Sequence, residues 1–135
     1  MTVRCTRPLT VDAIIVIGDR VVFVRRGHEP FKGRLALPGG FVEKDETVEQ
    51  AVVREAREET GLETEVVRLI GVYSDPGRDP RGPTVSVCFT LKATGGRLEA
   101  ASDATAVELV PRAEVPALAF DHNKMIDDAR WSGAL

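Results

Sequence analysis

The chain has 135 residues, with 18 lysines and arginines against 21 aspartates and glutamates, so its formal net charge is −3. A chain of this length can bury a sizeable core without disulfides or structural metal, and we expect residues 1–135 to form a single domain. The acidic balance and the scattered arginines argue against a nucleic-acid-binding surface and against binding to an anionic membrane.

No segment has the pattern of a membrane span or a secretory signal. The longest apolar run, Ala13–Ile17, is too short to cross a bilayer, and the N-terminus lacks the apolar core of a signal peptide. Cys5 and Cys88 are isolated and form no CxxC motif. We therefore expect a cytoplasmic protein without a disulfide, in which Cys88 fills space in a strand.

Runs rich in β-branched residues and bounded by Gly, Pro or Asp predict most of the secondary structure. Gly18-Asp19-Arg20 and Gly95-Gly96 are read as turns, the first of them in a hairpin. A late helix is predicted over Asp121–Arg130, with Ile126 and Ala129 among its apolar contacts. The order of elements suits a mixed sheet between helices. The predicted strands are Val11–Ile17, Val21–Arg26, Leu35–Leu37, Val66–Tyr73, Thr84–Thr90 and Val107–Val110.

The clearest element is a helix over residues 48–60, which contain no glycine or proline. Thr47 and Gln50 have the spacing of a capping box at its start. Gly61 stands where a left-handed residue ends a helix. Just before the helix, the Gly39-Gly40 pair permits unusual backbone conformations and a close approach to a ligand.

Three glutamates lie beside the apolar side of this helix rather than opposite it. At about 100° per residue, Glu59 falls inside the arc of the apolar valines and alanines, Glu55 lies between Ala51 and Val48, and Glu58 is just outside the arc. Side chains three and four residues apart are neighbours, so these like charges repel one another. A hard cation such as Mg²⁺ or Mn²⁺ would reverse that cost. The alternative is a charged helix flank partnered by Arg54 and Arg57.

The segment from Gly40 to Leu62, GFVEKDETVEQAVVREAREETGL, resembles the Nudix box at every fixed position, and the Leu37–Gly40 lead-in is also similar. The resemblance implies the Nudix fold, an α/β/α sandwich around a mixed β-sheet. It also implies an enzyme that hydrolyses the diphosphate linkage of a nucleoside diphosphate joined to another group.

The same resemblance implies roles for residues in the motif. Mg²⁺, or Mn²⁺ in its place, would be held by three glutamates and a backbone carbonyl of Gly39 or Gly40, and Glu55 is a candidate general base. A further catalytic acid is expected from a later loop, for which Asp103 is favoured over Glu99 and Glu108. Glu46, Arg54 and Gly61 are expected to be structural, the first two as an ion pair that orients the helix. The implied metal ligands from the helix are Glu55, Glu58 and Glu59.

Substrate choice must come from outside the motif. The loop Tyr73–Gly82, including Pro76, and the segment Leu118–His122 resemble those of ADP-ribose-hydrolysing Nudix enzymes and their regulatory relatives. Arg78 and Arg81 could contact phosphate or ribose, because a guanidinium offers a fork of donors that suits phosphate oxygens. Alternatively, the arginines and aspartates of the loop tie one another down.

Four further residues are candidate contacts. Arg25 and Arg26 end a strand, whose alternation would send one of them towards the phosphates and the other away. Phe31 could stack on a base or act as a packing anchor. His122 is read first as a cap or pocket wall and second as a substrate contact.

The leading hypothesis is an ADP-ribose diphosphatase that releases AMP and ribose 5-phosphate. A nucleoside triphosphate diphosphatase acting on oxidised or non-standard nucleotides is the alternative within the same class. A non-catalytic ADP-ribose sensor is the alternative from another class. Many relatives are dimers, so a homodimer is possible, and Trp131 is either a packing anchor or a dimer contact.

Overall fold

A computed structural model describes residues 3–99 and 104–135 of the chain. It contains seven strands and two α-helices within those ranges, with a short 3₁₀ helix at Arg112–Glu114. Asp103 lies outside the described residues. The helices are α1 (Val48–Thr60) and α2 (His122–Trp131). The strands are β1 (Leu9–Ile17), β2 (Arg20–Arg26), β3 (Leu35–Ala36), β4 (Gly39–Phe41), β5 (Leu62–Tyr73), β6 (Val85–Gly96) and β7 (Ala104–Pro111).

The strands form one mixed sheet in the order β3-β2-β1-β6-β5, with β4 paired to β1 and β7 paired to β2. The central pair, β1 and β6, is parallel, and the other pairings are antiparallel. The β1–β2 hairpin turns at Gly18-Asp19, as predicted, and places Val16 opposite Val21.

The sheet separates two hydrophobic cores because side chains alternate along its strands. On β1, Val11, Ala13 and Ile15 belong to the core that includes the buried face of α1. Ile14 points the other way, into the core that includes Met125 of α2. The helices therefore cover opposite faces of the sheet, and the predicted α/β/α sandwich is confirmed.

Two sequence expectations about glycines are wrong. Gly95 and Gly96 make no turn but continue β6, opposite Glu63 and Leu62 of β5. Gly39 and Gly40 form strand β4 without a positive φ, so an unusual backbone conformation is not why glycine stands there. What both positions share is close approach: a Cβ on either would collide with neighbouring atoms.

The end of α2 bears on two other expectations. Ile126 and Ala129 are buried, as predicted. Trp131 is 94% exposed, so it is not a packing anchor, and its role as a dimer contact stays a prediction. Within the described ranges, neither helix is long and apolar enough to cross a membrane.

Candidate active site

Helix α1 begins and ends at the residues that local chemistry favours. The Thr47 side chain accepts a hydrogen bond from the Gln50 backbone N–H at 3.0 Å, and the Gln50 side chain accepts from the Thr47 N–H at 2.9 Å. This reciprocal capping box satisfies two backbone donors that the helix leaves unpaired. At the other end Gly61 has a φ of 78° and donates its N–H to the Arg57 carbonyl. Both ends of the glutamate-bearing helix are thereby fixed.

Arg54 joins the helix to the segment that precedes it. Its guanidinium donates to Glu46 through Nε at 3.0 Å and through a terminal nitrogen at 2.6 Å. It also bonds the Phe41 carbonyl at 3.0 Å, Glu55 at 2.9 Å and Glu58 at 3.1 Å. The hydrogen bonds from Arg54 lower the pKa of Glu46 to about 2. This geometry suits the predicted structural role of the pair, because one planar fork connects the helix to β4.

The three glutamates of α1 occupy different environments. The Glu55 carboxylate lies against Gly40, so closely that an added Cβ would stand 2.5 Å from its carboxyl carbon. A carboxylate oxygen of Glu59 is 3.4 Å from the Gly39 backbone nitrogen, and Glu59 lines the adjoining cleft. The Glu58 side chain is 55% exposed and faces Arg54. Glu55 and Glu59 therefore flank the two glycines, whereas Glu58 does not.

The oxygen donors at this edge have the chemistry that Mg²⁺ or Mn²⁺ prefers, and glycine at position 40 leaves room for the Glu55 carboxylate. In the part of the chain that the structure describes, no three His, Cys, Asp or Glu side chains are gathered closely enough to hold a metal ion. One terminal nitrogen of Arg54 bonds both Glu55 and Glu58. Glu58 would have to turn towards the glycines to join the other two.

A cleft opens beside the Gly39-Gly40 strand, at the edge where β1, β4 and the start of α2 meet. Its walls carry both acidic and cationic side chains. The residues that matter most for its chemistry are Asp12, Arg26, Gly40, Glu59, Arg81 and Phe120. Neither Asp12 nor Phe120 was among the predicted contacts.

Asp12 is a buried carboxylate at the floor of this cleft, 6% exposed. Ser86 Oγ donates to one of its oxygens at 2.5 Å, and His122 Nε2 lies 3.3 Å from the other. Burial opposes ionisation, but His122, Ser86 and Arg78 together hold the pKa of Asp12 below its ordinary value. The feature of the sequence that could have pointed to Asp12 is the presence of a carboxylate within an otherwise apolar strand.

His122 is buried and lines the cleft, which matches its first reading as a pocket wall. Its Nδ1 accepts a hydrogen bond from the Leu37 backbone N–H at 3.0 Å. Because Nδ1 is an acceptor, the ring proton is assigned to Nε2, which can donate to Asp12. His122 thus links α2 both to β1 and to the segment leading into β4.

The two arginines of the 74–82 loop are engaged with aspartates. Arg78, whose side chain is 5% exposed, donates two hydrogen bonds to Asp121, at 2.9 and 2.8 Å, and one to Thr84 at 2.6 Å. Arg81 bonds Asp79 at 2.9 Å but is 53% exposed at the cleft. The pair Arg81–Asp79 corresponds to the alternative in which charged residues of the loop tie one another down, whereas Arg78 ties the loop to Asp121 at the start of α2. Arg81 is better placed for a ligand.

The paired arginines of β2 diverge, as strand alternation requires. Arg26 lines the cleft, donates to the Pro30 carbonyl at 2.6 Å and lies 4.9 Å from the centre of the Phe120 ring. Arg25 bonds Glu108 at 2.6 Å and the Gly33 carbonyl at 2.7 Å. Arg26 is therefore the one of the two that is placed to meet a ligand in the cleft.

Phe31 packs edge-on against Phe120, with ring centres 4.9 Å apart. Both residues have a positive φ, 60° and 52°, which is unusual for aromatic residues. The guanidinium of Arg81 lies 5.5 Å from the centre of the Phe120 ring. Phe31 acts here as the anchor of Phe120, which lines the cleft together with Phe41.

Comparison with known proteins places this site in a family. The family model of the NUDIX domain matches residues 6–129. An ADP-ribose pyrophosphatase from Methanocaldococcus jannaschii is 52% identical over 124 residues, which are 91% of this chain and 73% of that protein.

Two solved structures are similar over nearly the whole chain. The NUDIX domain of Shewanella oneidensis NrtR, complexed with ADP ribose, superposes with a TM-score of 0.84 at 32% identity, covering 96% of this chain and 90% of that one. A bifunctional NMN adenylyltransferase/ADP ribose pyrophosphatase from Francisella tularensis, complexed with AMP and a manganese ion, gives 0.79 at 28% identity. The shares covered are 94% of this chain and 42% of that one. The chain belongs to the NUDIX domain family.

Proposed function

We propose that this protein is a Nudix hydrolase that cleaves the diphosphate linkage of ADP-ribose, releasing AMP and ribose 5-phosphate, with Mg²⁺ or Mn²⁺ as its cofactor. The observation that carries the proposal is the composition of the cleft, which is lined by the carboxylate of Glu59 and by the guanidinium groups of Arg26 and Arg81. A diphosphate bridged by a cation needs both kinds of group. The name and 52% identity of the Methanocaldococcus jannaschii relative support ADP-ribose as the substrate.

Different residues of the chain bind the diphosphate and the cation. Arg26 and Arg81 bind the anionic oxygens of the diphosphate and hold it along the cleft. Glu55, Glu58 and Glu59, with a Gly39 or Gly40 carbonyl, would hold the cation, which would neutralise phosphate charge and activate water. Manganese in the structure of the Francisella tularensis relative supports this requirement.

The hydrolytic step needs one water and one proton acceptor. The water oxygen forms a new bond to phosphorus, and the bond between phosphorus and the bridging oxygen breaks. Glu55 accepts the proton released by the water. Its orientation is set from two sides, by the 2.9 Å bond from Arg54 and by the contact with Gly40. Asp103 remains a second candidate acid for this chemistry.

The test is a comparison of substrates with the purified chain. ADP-ribose and a panel of nucleoside triphosphates are incubated with Mg²⁺, with Mn²⁺ or with EDTA, and the products are separated chromatographically. We expect AMP and ribose 5-phosphate in equal amounts, no turnover in EDTA and slower turnover of every triphosphate. Equal or faster triphosphate turnover would instead assign the protein to the triphosphate diphosphatases. Binding of ADP-ribose without any turnover would assign it to the sensors.

A further inference from the structure

Four segments around the cleft meet at one buried carboxylate. Asp12 of β1 bonds Ser86 of β6 and His122 of α2, and a Cβ at position 39 of β4 would lie 2.5 Å from its Oδ1. Arg78 of the 74–82 loop approaches the other oxygen at 4.0 Å. Ser86, Asp12 and His122 are respectively 0%, 6% and 4% exposed.

Burying a carboxylate in this way costs folding free energy that burying an apolar side chain would not cost. A carboxylate removed from water is destabilising unless charged or hydrogen-bonding partners surround it, and apolar residues of the same shape are often at least as stable. Ile14, two residues further along β1 and on the same face of the sheet as position 12, is completely buried in the core that includes Met125 of α2. An apolar residue would therefore suit the strand, and the role of the carboxylate must be sought in what it orients.

The imidazole of His122 is what Asp12 orients. With Nε2 directed at Asp12, Nδ1 faces the Leu37 N–H and accepts its hydrogen bond at 3.0 Å. Leu37 starts the short segment Leu37–Gly40, which ends beside the Glu55 and Glu59 carboxylates. A carboxylate that fixes an imidazole, which in turn fixes a neighbouring group, is a common way to hold a reacting centre in place.

We propose that Asp12 and His122 are positioning residues for the Leu37–Gly40 segment. Through the Leu37 N–H, and together with the backbone pairing of β4 with β1, they set the place of the Gly39 and Gly40 carbonyls relative to the glutamates of α1. Neither residue takes part in the chemical step. The inference rests on the proposed function, because the segment matters only if these carbonyls and glutamates share a cation.

Two variants at position 122 test separately the hydrogen bond between His122 and Asp12 and the hydrogen bond between Leu37 and His122. In His122→Gln the amide nitrogen occupies the region of Nε2 and can donate to Asp12, but the acceptor for the Leu37 N–H is lost. In His122→Asn the amide oxygen occupies the region of Nδ1 and can accept from Leu37, but the donor to Asp12 is lost. Ile126→Val, one turn further along α2 and buried in the same core, is the control for general loss of packing.

The first readout needs neither metal nor substrate. Amide hydrogen exchange of residues 35–41 is measured by mass spectrometry in each variant. We expect faster exchange in His122→Gln, a smaller increase in His122→Asn and none in Ile126→Val. The second readout is the Mn²⁺ dissociation constant from paramagnetic resonance, which should rise by roughly 10-fold in His122→Gln, the size typical when a residue behind a metal ligand is lost.

A matched pair tests the carboxylate. Asp12→Ala should reproduce both effects, and Asp12→Asn should recover most of the wild-type behaviour, since an amide can still accept from His122 and donate to Ser86. Exchange and Mn²⁺ affinity in His122→Gln equal to those of Ile126→Val would overturn the proposal. Failure of the proposed function would look different, because the wild-type protein itself would then leave ADP-ribose intact.

Discussion

Replacement of Gly40 by alanine separates the placement of a carboxylate from the stability of the fold. The added Cβ would stand 2.5 Å from the carboxyl carbon of Glu55 and 2.5 and 2.7 Å from its two oxygens. Carbon atoms in normal contact are about 3.5 Å apart, so the carboxylate has to retreat by about 1 Å. Gly40 has no positive φ, and the backbone therefore accepts alanine without strain.

The expected effect is on turnover rather than on folding. Glu55 is the flexible end of a side chain and can move, so the free energy of unfolding should fall by less than about 1 kcal/mol. A displacement of 1 Å at a reacting group can reduce the rate by about 100-fold. We therefore expect Gly40→Ala to lower kcat for ADP-ribose by about two orders of magnitude.

Gly39→Ala is the matched control. A Cβ at this position would collide with the backbone oxygen of Val11 and with Asp12. Val11 lies within a central strand and cannot retreat as a side chain can, so overpacking should cost about 1–3 kcal/mol or more. That loss should lower the melting temperature by several degrees, measured by calorimetry. A Gly40→Ala protein with near wild-type turnover, or one as destabilised as Gly39→Ala, would refute the reasoning.

Three further predictions concern single side chains. Glu59→Gln should reduce kcat by orders of magnitude with an unchanged circular dichroism spectrum, because it removes a proposed metal ligand and little packing; unchanged turnover would exclude that role. Thr47→Ala should lower the free energy of unfolding in urea by about 1 kcal/mol, since the capping bond to Gln50 is lost; an unchanged urea midpoint would contradict this. Iodoacetamide should modify exposed Cys5 and spare Cys88, because burial raises the pKa of the Cys88 thiol; peptide mapping that found Cys88 alkylated in the native protein would contradict the burial.

Local patterns account for what the sequence predicted well. The bounds of α1, its capping box and the left-handed Gly61 depend on residues within one turn of each other, and all were found where the sequence placed them. Among the described strands all but β4 were predicted for the same reason, although β5 and β6 extend further than expected. Their extra length comes from pairing between the two strands, which no local pattern contains.

Non-local contacts account for what was missed. Asp12 binds residues 74 and 110 positions away, and a lone carboxylate in a strand is usually a solvent-facing residue. The sequence leaves two roles open for Arg78, a contact to the substrate or an ion pair within the loop. It cannot decide between them because the partner, Asp121, lies 43 residues further along the chain. Gly95-Gly96 has the composition of a turn, but the missing side chain of Gly96 instead allows the chain to pass closely beside Gly61.

The C-terminal end of α1 is closed by a remote part of the chain. Beyond the bond made by Gly61, the Arg97 N–H donates to the Gly61 carbonyl at 3.1 Å, and the Glu99 N–H donates to the Thr60 carbonyl at 2.8 Å. Fraying of the helix from this end therefore requires the β5–β6 hairpin to separate from it. The glutamate-bearing helix and that hairpin should open as one cooperative unit, so thermal fluctuations would loosen the proposed metal-binding edge only when a large part of the sheet opens with it.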